Sequence, residues 1–586
     1  MRGSSVVLGL ALVAWGGAAL AQAIPPGPPP ALAPAQRNPI EQLAPPSQPR
    51  LAPGIEGPPI TARTGPGAAT EVRLGAIAVT GNTGLSDRIL APAIQGLAGS
   101  TVTLARVEEA RLAVLRAYRE RGFAFTSVDA GLTPRPDGTA DLQIAVTEGF
   151  VAEVKLDGDI GRAGTQVLRF LEQLVGKRPV SNAEIERALL LASDVPGVTV
   201  RGTLRPLPSE RGALMLVAQL ERKSWNAFAT VDNRGYRLVG PWQWLGVVGA
   251  NSFTEFGERT EISYFGAQET SQWFVQGSVE AFIGGSGLRG RIYGGGGQTT
   301  PLGALRGIGY FGTAEVGGAI LSYPVVRSRA ANLTLSASLD AFEGTVETGR
   351  GPARTRASRD SVRVFRIGYD GQVLEARLLP FLPAATTTAG IRLHQGLLGL
   401  GATRTGDPNT GRAGNEGFGF TKATAEVQRT QPIFAPFDGG MVNLQGYAYG
   451  QWTEDVLPLS EKCYLGGARL GRGFYAGQIT GDQCWGFAAE LQLDTAHDLP
   501  FTPPGLTSNR LTAQFYVFRD MGWTFERLPT DPDRRISSWG GGVRTVLSDT
   551  IYMDVEGVHR ETRRPESYQA DRLKDTAIYF RTLVRF

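Results

Sequence analysis

Between Trp225 and Phe586 apolar and polar residues alternate one for one, segment after segment. Leu333, Leu335, Ala337 and Leu339 interleave with Thr334, Ser336, Ser338 and Asp340. Val442, Leu444, Ala448 and Trp452 interleave with Asn443, Gln445, Tyr447, Tyr449 and Gln451, and Ile578, Phe580, Val584 and Phe586 with Tyr579, Arg581 and Arg585. A period of two sends successive side chains to opposite faces of a β-strand, so each segment has one apolar and one polar face. A soluble sandwich and a membrane barrel both fit that pattern. The polar faces carry large residues that suit a hydrated lumen. Trp242, Trp244, Tyr264 and Trp452 fall near strand ends, where an interfacial girdle would lie, and Phe586 ends the last strand on its apolar face. These features predict an all-β transmembrane barrel. Spanning strands need about 9–11 residues, so roughly sixteen antiparallel strands fit between residues 225 and 586 with room for loops. A barrel of that size encloses an aqueous channel unless something fills it.

The preceding 150 residues follow a different rule, with one pattern running twice. A strand, Val72–Val79, is followed by helices near Ser86–Gln95 and Leu104–Arg121, then by a hairpin whose first strand is Phe123–Leu132 and whose second is Asp141–Val146. The second copy places a strand at Val151–Leu156, helices at Thr165–Leu174 and Asn182–Leu191, and a hairpin opened by Pro196-Gly197. Each copy is a small α/β unit of order β-α-α-β-β, whose helix pair covers one face of a three-stranded sheet and leaves a sheet edge open. The predicted boundaries are 72–149 and 150–223, with the barrel over 224–586. Residues 1–23 read as a secretory signal peptide, with Arg2, an apolar stretch from Val6 to Leu20 and the small-x-small site Ala21-Gln22-Ala23. Residues 24–71 hold fourteen of the 37 prolines and read as a linker, since proline removes backbone donors and favours extended chain.

Composition removes other classes. With a mean hydropathy of -0.10, the chain lacks the repeated 20-residue apolar runs of a helical membrane bundle. The net charge of +4 is spread along the chain with no basic patch, which argues against nucleic acid. His394, His497 and His559 stand far apart, and neither HExxH nor CxxC occurs, so no metal site is expected. Gly294–Gly297 lacks a following Lys-Ser/Thr and reads as a barrel strand with closely approaching backbones. No nucleophile turn of the type G-x-S-x-G appears, so neither catalysis nor a cofactor is expected. Cys463 and Cys484, an even pair in an exported chain, favour a disulfide.

Two such repeats ahead of a barrel resemble the POTRA-plus-barrel architecture of outer-membrane assembly and secretion proteins. The opening barrel segment VDNRGYRLVGPWQWLGVVGANSF is similar to that of two-partner-secretion transporters of the TpsB type, the haemolysin secretion/activation family. Leu321–Arg327 is similar to a further segment of that family. Residues 464–482, YLGGARLGRGFYAGQITGD, resemble its LGG…RGF/Y…GD motif, carried on a loop folded into the lumen. Phe518-Arg519-Asp520-Met521-Gly522 resembles the strand motif FxDxG that faces this loop.

Parity along Leu511–Asp520 places Asp520 on the lumenal face with Phe518 and Tyr516. On the residues alone Arg472 reads as an exposed loop arginine. The resemblance assigns Arg472, Gly473 and Phe474 on the loop, with Phe518, Asp520 and Gly522 on the strand, to a conformational lock. Its expected core is an Arg472–Asp520 guanidinium–carboxylate pair, which the flanking glycines allow to approach. Cys463 and Cys484 bracket the loop and would staple its base, a departure from the family pattern. The resemblance further implies an outer-membrane location with periplasmic POTRA domains that bind an unfolded secreted exoprotein. Strand addition at the hairpin strands Phe123–Leu132 and Val198–Leu204 is the expected mode, with Phe123, Phe125, Val198 and Val200 as contacts. The other implied partners are outer-membrane lipid and the barrel assembly machinery, met through Phe586. An N-terminal plug helix is also implied, although only Ala35–Leu43 could attempt one and Pro39 interrupts it. A barrel-assembly factor of the same superfamily and a porin-like channel are the competing readings. Two repeats are few for the first, and the second leaves the repeats unexplained.

Overall fold

The computed structural model describes residues 59–62 and 67–586, apart from 209, 376–381, 507 and 567–571. The segment read as a signal peptide, most of the proline-rich stretch and the one place for a plug helix lie outside the described residues.

The first α/β unit runs β1 (Glu71–Thr80), α1 (Asp87–Ile94), β2 (Thr101–Thr103), α2 (Leu104–Glu120), β3 (Ser127–Pro134) and β4 (Ala140–Thr147). Its sheet has the order β2-β1-β4-β3, with β1 parallel to β4. The expected three strands are therefore four, because the residues joining the helices pair with the start of β1. The hairpin also begins later than its sequence pattern suggested. Gly122 takes φ +84° and ends α2, and Phe123–Thr126 form a turn before β3 starts. One face of α2 supplies Val107, Val114, Leu115 and Tyr118 to a core shared with Leu74, Leu142 and Ile144.

The second unit runs β5 (Phe150–Asp157), α3 (Ala163–Leu171), α4 (Asn182–Ser193), β6 (Val198–Pro206) and β7 (Ala213–Arg222), with sheet order β5-β7-β6. Ser181 and Glu184 form a reciprocal capping box that sets the start of α4. Glu148 ties together the end of the first unit. It accepts from the Tyr118 hydroxyl at 2.7 Å and from the Gly84 N–H at 2.7 Å, while Phe125 packs on the second unit's core.

Sixteen strands close the barrel. They are β8 (Trp225–Asp232), β9 (Gln243–Asn251), β10 (Arg259–Ala267), β11 (Gln272–Phe282), β12 (Arg289–Thr299), β13 (Phe311–Arg327), β14 (Ala331–Thr348), β15 (Thr355–Glu375) and β16 (Ala385–Gly396), then β17 (Thr421–Phe434), β18 (Gly440–Thr453), β21 (Gln483–Asp498), β22 (Arg510–Phe525), β23 (Arg534–Leu547), β24 (Ile551–Arg560) and β25 (Thr576–Arg585). A separate small hairpin, β19 (Cys463–Leu465) with β20 (Ile479–Gly481), sits between β18 and β21. Every neighbouring barrel pair is antiparallel, and β25 returns to β8. On β22 the outward Phe515 and Val517 are 51% and 58% exposed, whereas Tyr516, Phe518 and Asp520 are 4%, 5% and 0% exposed. That is the apolar-out, polar-in arrangement of a barrel set in lipid. Among the described residues no helix is long and apolar enough to cross a membrane. The glycine run of β12 brings strands together: a Cβ on Gly297 would lie 2.1 Å from the Trp273 carbonyl oxygen.

The second α/β unit docks on one rim. Gln166 donates to the Gly284 carbonyl at 2.8 Å, Arg187 to the Pro324 carbonyl at 2.9 Å, and Arg327 grips Asp194 through two bonds of 2.8 and 2.9 Å. Phe170 meets Phe282 edge to face at 5.1 Å. The short turns lie on this rim, and the long segments 397–420 and 454–482 lie on the other.

Candidate functional site

The segment between β18 and β21 does not simply cap the barrel. The β19–β20 hairpin carries residues 466–478 inward, and Phe474 at its tip is fully buried with Leu465, Leu470, Ile479 and Ile536. Glycine is required where the tip meets the wall. A Cβ on Gly473 would fall 2.6 Å from the Ser538 Cβ, and one on Gly471, at φ +71°, would fall 2.3 Å from Ile536 Cδ1. From the wall, a Cβ on Gly522 would meet Leu465 at 2.7 Å.

Arg472 and Asp520 come together, but not through the guanidinium. The Asp520 carboxylate accepts the backbone N–H of Arg472 at 2.7 Å and also the Ser538 hydroxyl. The guanidinium runs past it to Glu490 on β21 and Glu556 on β24, one carboxylate for each terminal nitrogen. The physical reason is length. Asp520 has a short side chain and lies beneath the loop backbone, while the arginine side chain reaches strands on either side. Its Cζ sits 3.7 Å from the Phe518 ring centroid, so Phe518 forms the platform on which the guanidinium rests.

Both glutamates have further cations. Arg544 reaches Glu490 at 2.9 Å, and Arg234, from the loop after β8, reaches Glu556 at 2.7 Å. Tyr516 also donates to Glu556 at 2.9 Å. Arg560 and the Tyr579 hydroxyl both donate to the Gly473 carbonyl. The tip is thus held by strands β21, β22, β23, β24 and β25 and by Arg234. Sequence reasoning missed Glu490, Glu556 and Arg234. Strand parity was the available signal, since both glutamates alternate with outward apolar residues on their own strands. Cys463 and Cys484 are disulfide-bonded, with Cα atoms 6.1 Å apart, joining β19 to β21.

A second charged cluster lies toward the rim away from the α/β units. Arg412, from segment 397–420, donates to Asp482 at 2.6 Å, to Asp531 at 3.0 Å and to Glu526 at 3.2 Å. Lys462 holds Glu526 at 2.6 Å, and Asp482 also accepts the Leu457 N–H at 2.9 Å. Three external segments are tied together there by buried charges. Among the described residues no group of three or more acidic, His or Cys side chains could hold a metal.

The four residues named for substrate contact are placed otherwise than expected. Val198 is fully buried, and Phe123, Phe125 and Val200 pack on the domain cores, with Phe123 and Phe125 lying before β3. A residue that alternates inward on an edge strand serves its own core. What β3 and β6 leave open is backbone and outward side chains, and both are edge strands.

This architecture defines an outer-membrane β-barrel protein bearing POTRA domains, which are periplasmic in proteins of this kind. Residues 72–149 match the POTRA family of surface antigen variable number repeats, and residues 373–545 match the haemolysin secretion/activation protein family ShlB/FhaC/HecB. The heme/hemopexin transporter protein HuxB of Haemophilus influenzae is 21% identical over 283 residues, 48% of this chain and 49% of that protein. The chain therefore aligns with about half the length of this curated relative. CdiB from Escherichia coli has the same fold, with a TM-score of 0.67 at 18% identity over 92% of this chain and 94% of the other. CdiB from Acinetobacter baumannii gives 0.59 at 16% identity, over 88% and 90%.

Proposed function

We propose that the protein secretes one exoprotein through its barrel, by the two-partner route. The carrying observation is the lumenal loop, which folds into the barrel interior and is tied to five neighbouring strands through residues 472 and 473. A passive pore has no use for such an obstruction, whereas a channel that opens only for its client does. The N-terminal 23 residues direct export, residues 24–71 link to the POTRA pair, and the open edges of β3 and β6 add a strand of the unfolded client. The Arg472–Asp520 lock with Gly473, Phe474, Phe518 and Gly522 fixes the loop in the one conformation that secretion needs, and Phe586 directs insertion by the barrel assembly machinery. Removing the gene and comparing secreted proteins with outer-membrane composition tests this reading. Loss of one large secreted protein is the expected result. General loss of barrels would instead assign the chain to membrane-protein assembly.

The disulfide fits the same role. Bridging two positions 21 residues apart restricts the unfolded loop and contributes about 3 kcal/mol to its ordered state. Replacing Cys463 and Cys484 together by serine should leave the barrel inserted but make segment 464–483 accessible to external protease. Unchanged protease resistance in the double variant would show that the lumenal contacts alone hold the loop.

A further inference from the structure

The outward face of β22, β23 and β24 changes character at one level. From the row of Leu511, Leu547 and Ile551 up to that of Val517, Gly541 and Gly557, the cross-strand neighbours are apolar or small. The next row, farther from the periplasmic rim, is Arg519, Trp539 and His559. The strand from Leu511 to Arg519 covers about 27 Å at about 3.4 Å per residue. At the tilt of about 35–45° usual for outer-membrane strands this is roughly 20 Å of height, most of an apolar band about 25 Å tall. Arg519 thus stands at the external edge of the lipid-facing band, where headgroups begin. Its side chain is 57% exposed, and Nη2 donates to both oxygens of Glu561, at 2.9 and 3.1 Å. Ser537 donates to the same carboxylate and helps to fix it. The Nε and Nη1 of Arg519 donate to no described residue and stay open to another acceptor. Trp539 is half exposed beside it, with the His559 ring 5.3 Å away. Farther out on β23, Arg535 pairs in register with Trp523, whose ring stacks on Trp485 at 4.1 Å. Arg535 is exposed and makes no hydrogen bond or ion pair with any described residue.

We propose that Arg519 binds a phosphate of an acylated glycolipid in the outer leaflet, with Trp539 at its sugar–acyl boundary and Arg535 toward its sugar region. Position, charge and shape select that ligand. The position is external, since POTRA domains are periplasmic and the second of them docks on the opposite rim. The local charge is positive, two guanidinium groups against the one Glu561 carboxylate. A guanidinium presents planar, forked donors that suit phosphate oxygens, and Glu561 holds this one ready by fixing one of its ends. Tryptophan is favoured at this depth, its ring apolar and its N–H able to reach headgroups. An arginine on the lipid side is costly unless an acceptor at its own depth takes up the charge. Arg519 fills an open position of the strand motif FxDxG, whose neighbouring Phe518 and Asp520 face the lumen. One face of β22 thus serves the loop and the other the membrane. The site depends on the outer-membrane placement and not on the transport reading.

The test uses the full-length protein in detergent, stripped of co-purified lipid, with purified lipid A as the probe and native mass spectrometry as the readout. The parent should retain lipid A, and the double variant Arg519→Gln/Arg535→Gln should retain at least tenfold less at the same lipid concentration. Arg519→Lys keeps the charge without the fork and should recover part of the binding. Heat-modifiable migration like that of the parent checks that the variants are folded. A second measurement needs no variant: lipid A freed of its phosphates should bind the parent at least tenfold less than the intact lipid. Equal retention by parent and folded double variant overturns the proposal, and so does equal retention of the phosphate-free lipid. Complete displacement of lipid A by inorganic phosphate would assign the site to a free anion and overturn the lipid as its ligand.

Discussion

Replacing Arg472 by alanine should lower secretion at least tenfold while the barrel still inserts and keeps its heat-modifiable migration. The wall survives because each glutamate keeps another cation: Glu490 retains Arg544 and Glu556 retains Arg234. The loop loses the guanidinium that joins it to Glu490 on β21 and Glu556 on β24, while Arg560 still holds the Gly473 carbonyl. Breaking a buried pair outright costs roughly 3–5 kcal/mol, and the remaining partners reduce that to about 2 kcal/mol, still some thirtyfold in the docking equilibrium of the tip. Asp520→Ala breaks a separate contact of the same tip, since it removes the acceptor for both the Arg472 N–H and the Ser538 hydroxyl. Asp520→Asn keeps one acceptor oxygen and should be milder. Immunoblots of secreted exoprotein against cell-associated barrel measure the effect, and normal secretion by both alanine variants would strip the lock of its role.

Arg412→Ala acts at the outer rim and should open the channel. Its guanidinium lies among Asp482, from the segment before β21, and Glu526 and Asp531, from the loop after β22. Without it three carboxylates face one another with Lys462 and, at 3.8 Å, Arg534 as the cations left on Glu526, and like charges in a low-dielectric site repel strongly. The external segments should part, giving several-fold more frequent openings in planar bilayers and sensitivity to antibiotics too large for ordinary porins. Arg412→Lys keeps a charge but cannot reach three partners at once, so it should recover only part of the closure. Conductance traces identical to the parent would mean that the mouth is closed by other contacts.

How much of this was legible beforehand follows from which interactions are local. Strand parity depends on the backbone alone, so the outward Phe515 and Val517 and the inward Phe518 and Asp520 could be assigned along β22 before any partner strand was known. Helix periodicity identified α2 and α4 within a few residues, because their apolar stripes repeat over several turns. The late start of β3 was not legible. Phe123 and Phe125 fit a strand pattern, yet the turn after Gly122 and the joint with the second domain claim them. The expected guanidinium–carboxylate pair of Arg472 and Asp520 is replaced by a bond from the Arg472 backbone N–H, since a side chain's partner depends on strands far away in the chain.

The alternation of side chains, the doubled α/β pattern and the loop motif are properties of neighbouring residues, and the sequence alone determined them. From these the barrel, its two preceding domains and the inward loop could be anticipated. Only the tertiary structure decided that Glu490, Glu556 and Arg234 converge on Arg472, because closing the barrel brings together residues as far apart as 234 and 556. The same holds for Arg412 and its three carboxylates, and for the outward row of Arg519, Trp539 and His559. Each is a meeting of segments whose separation along the chain carries no record of their distance in space.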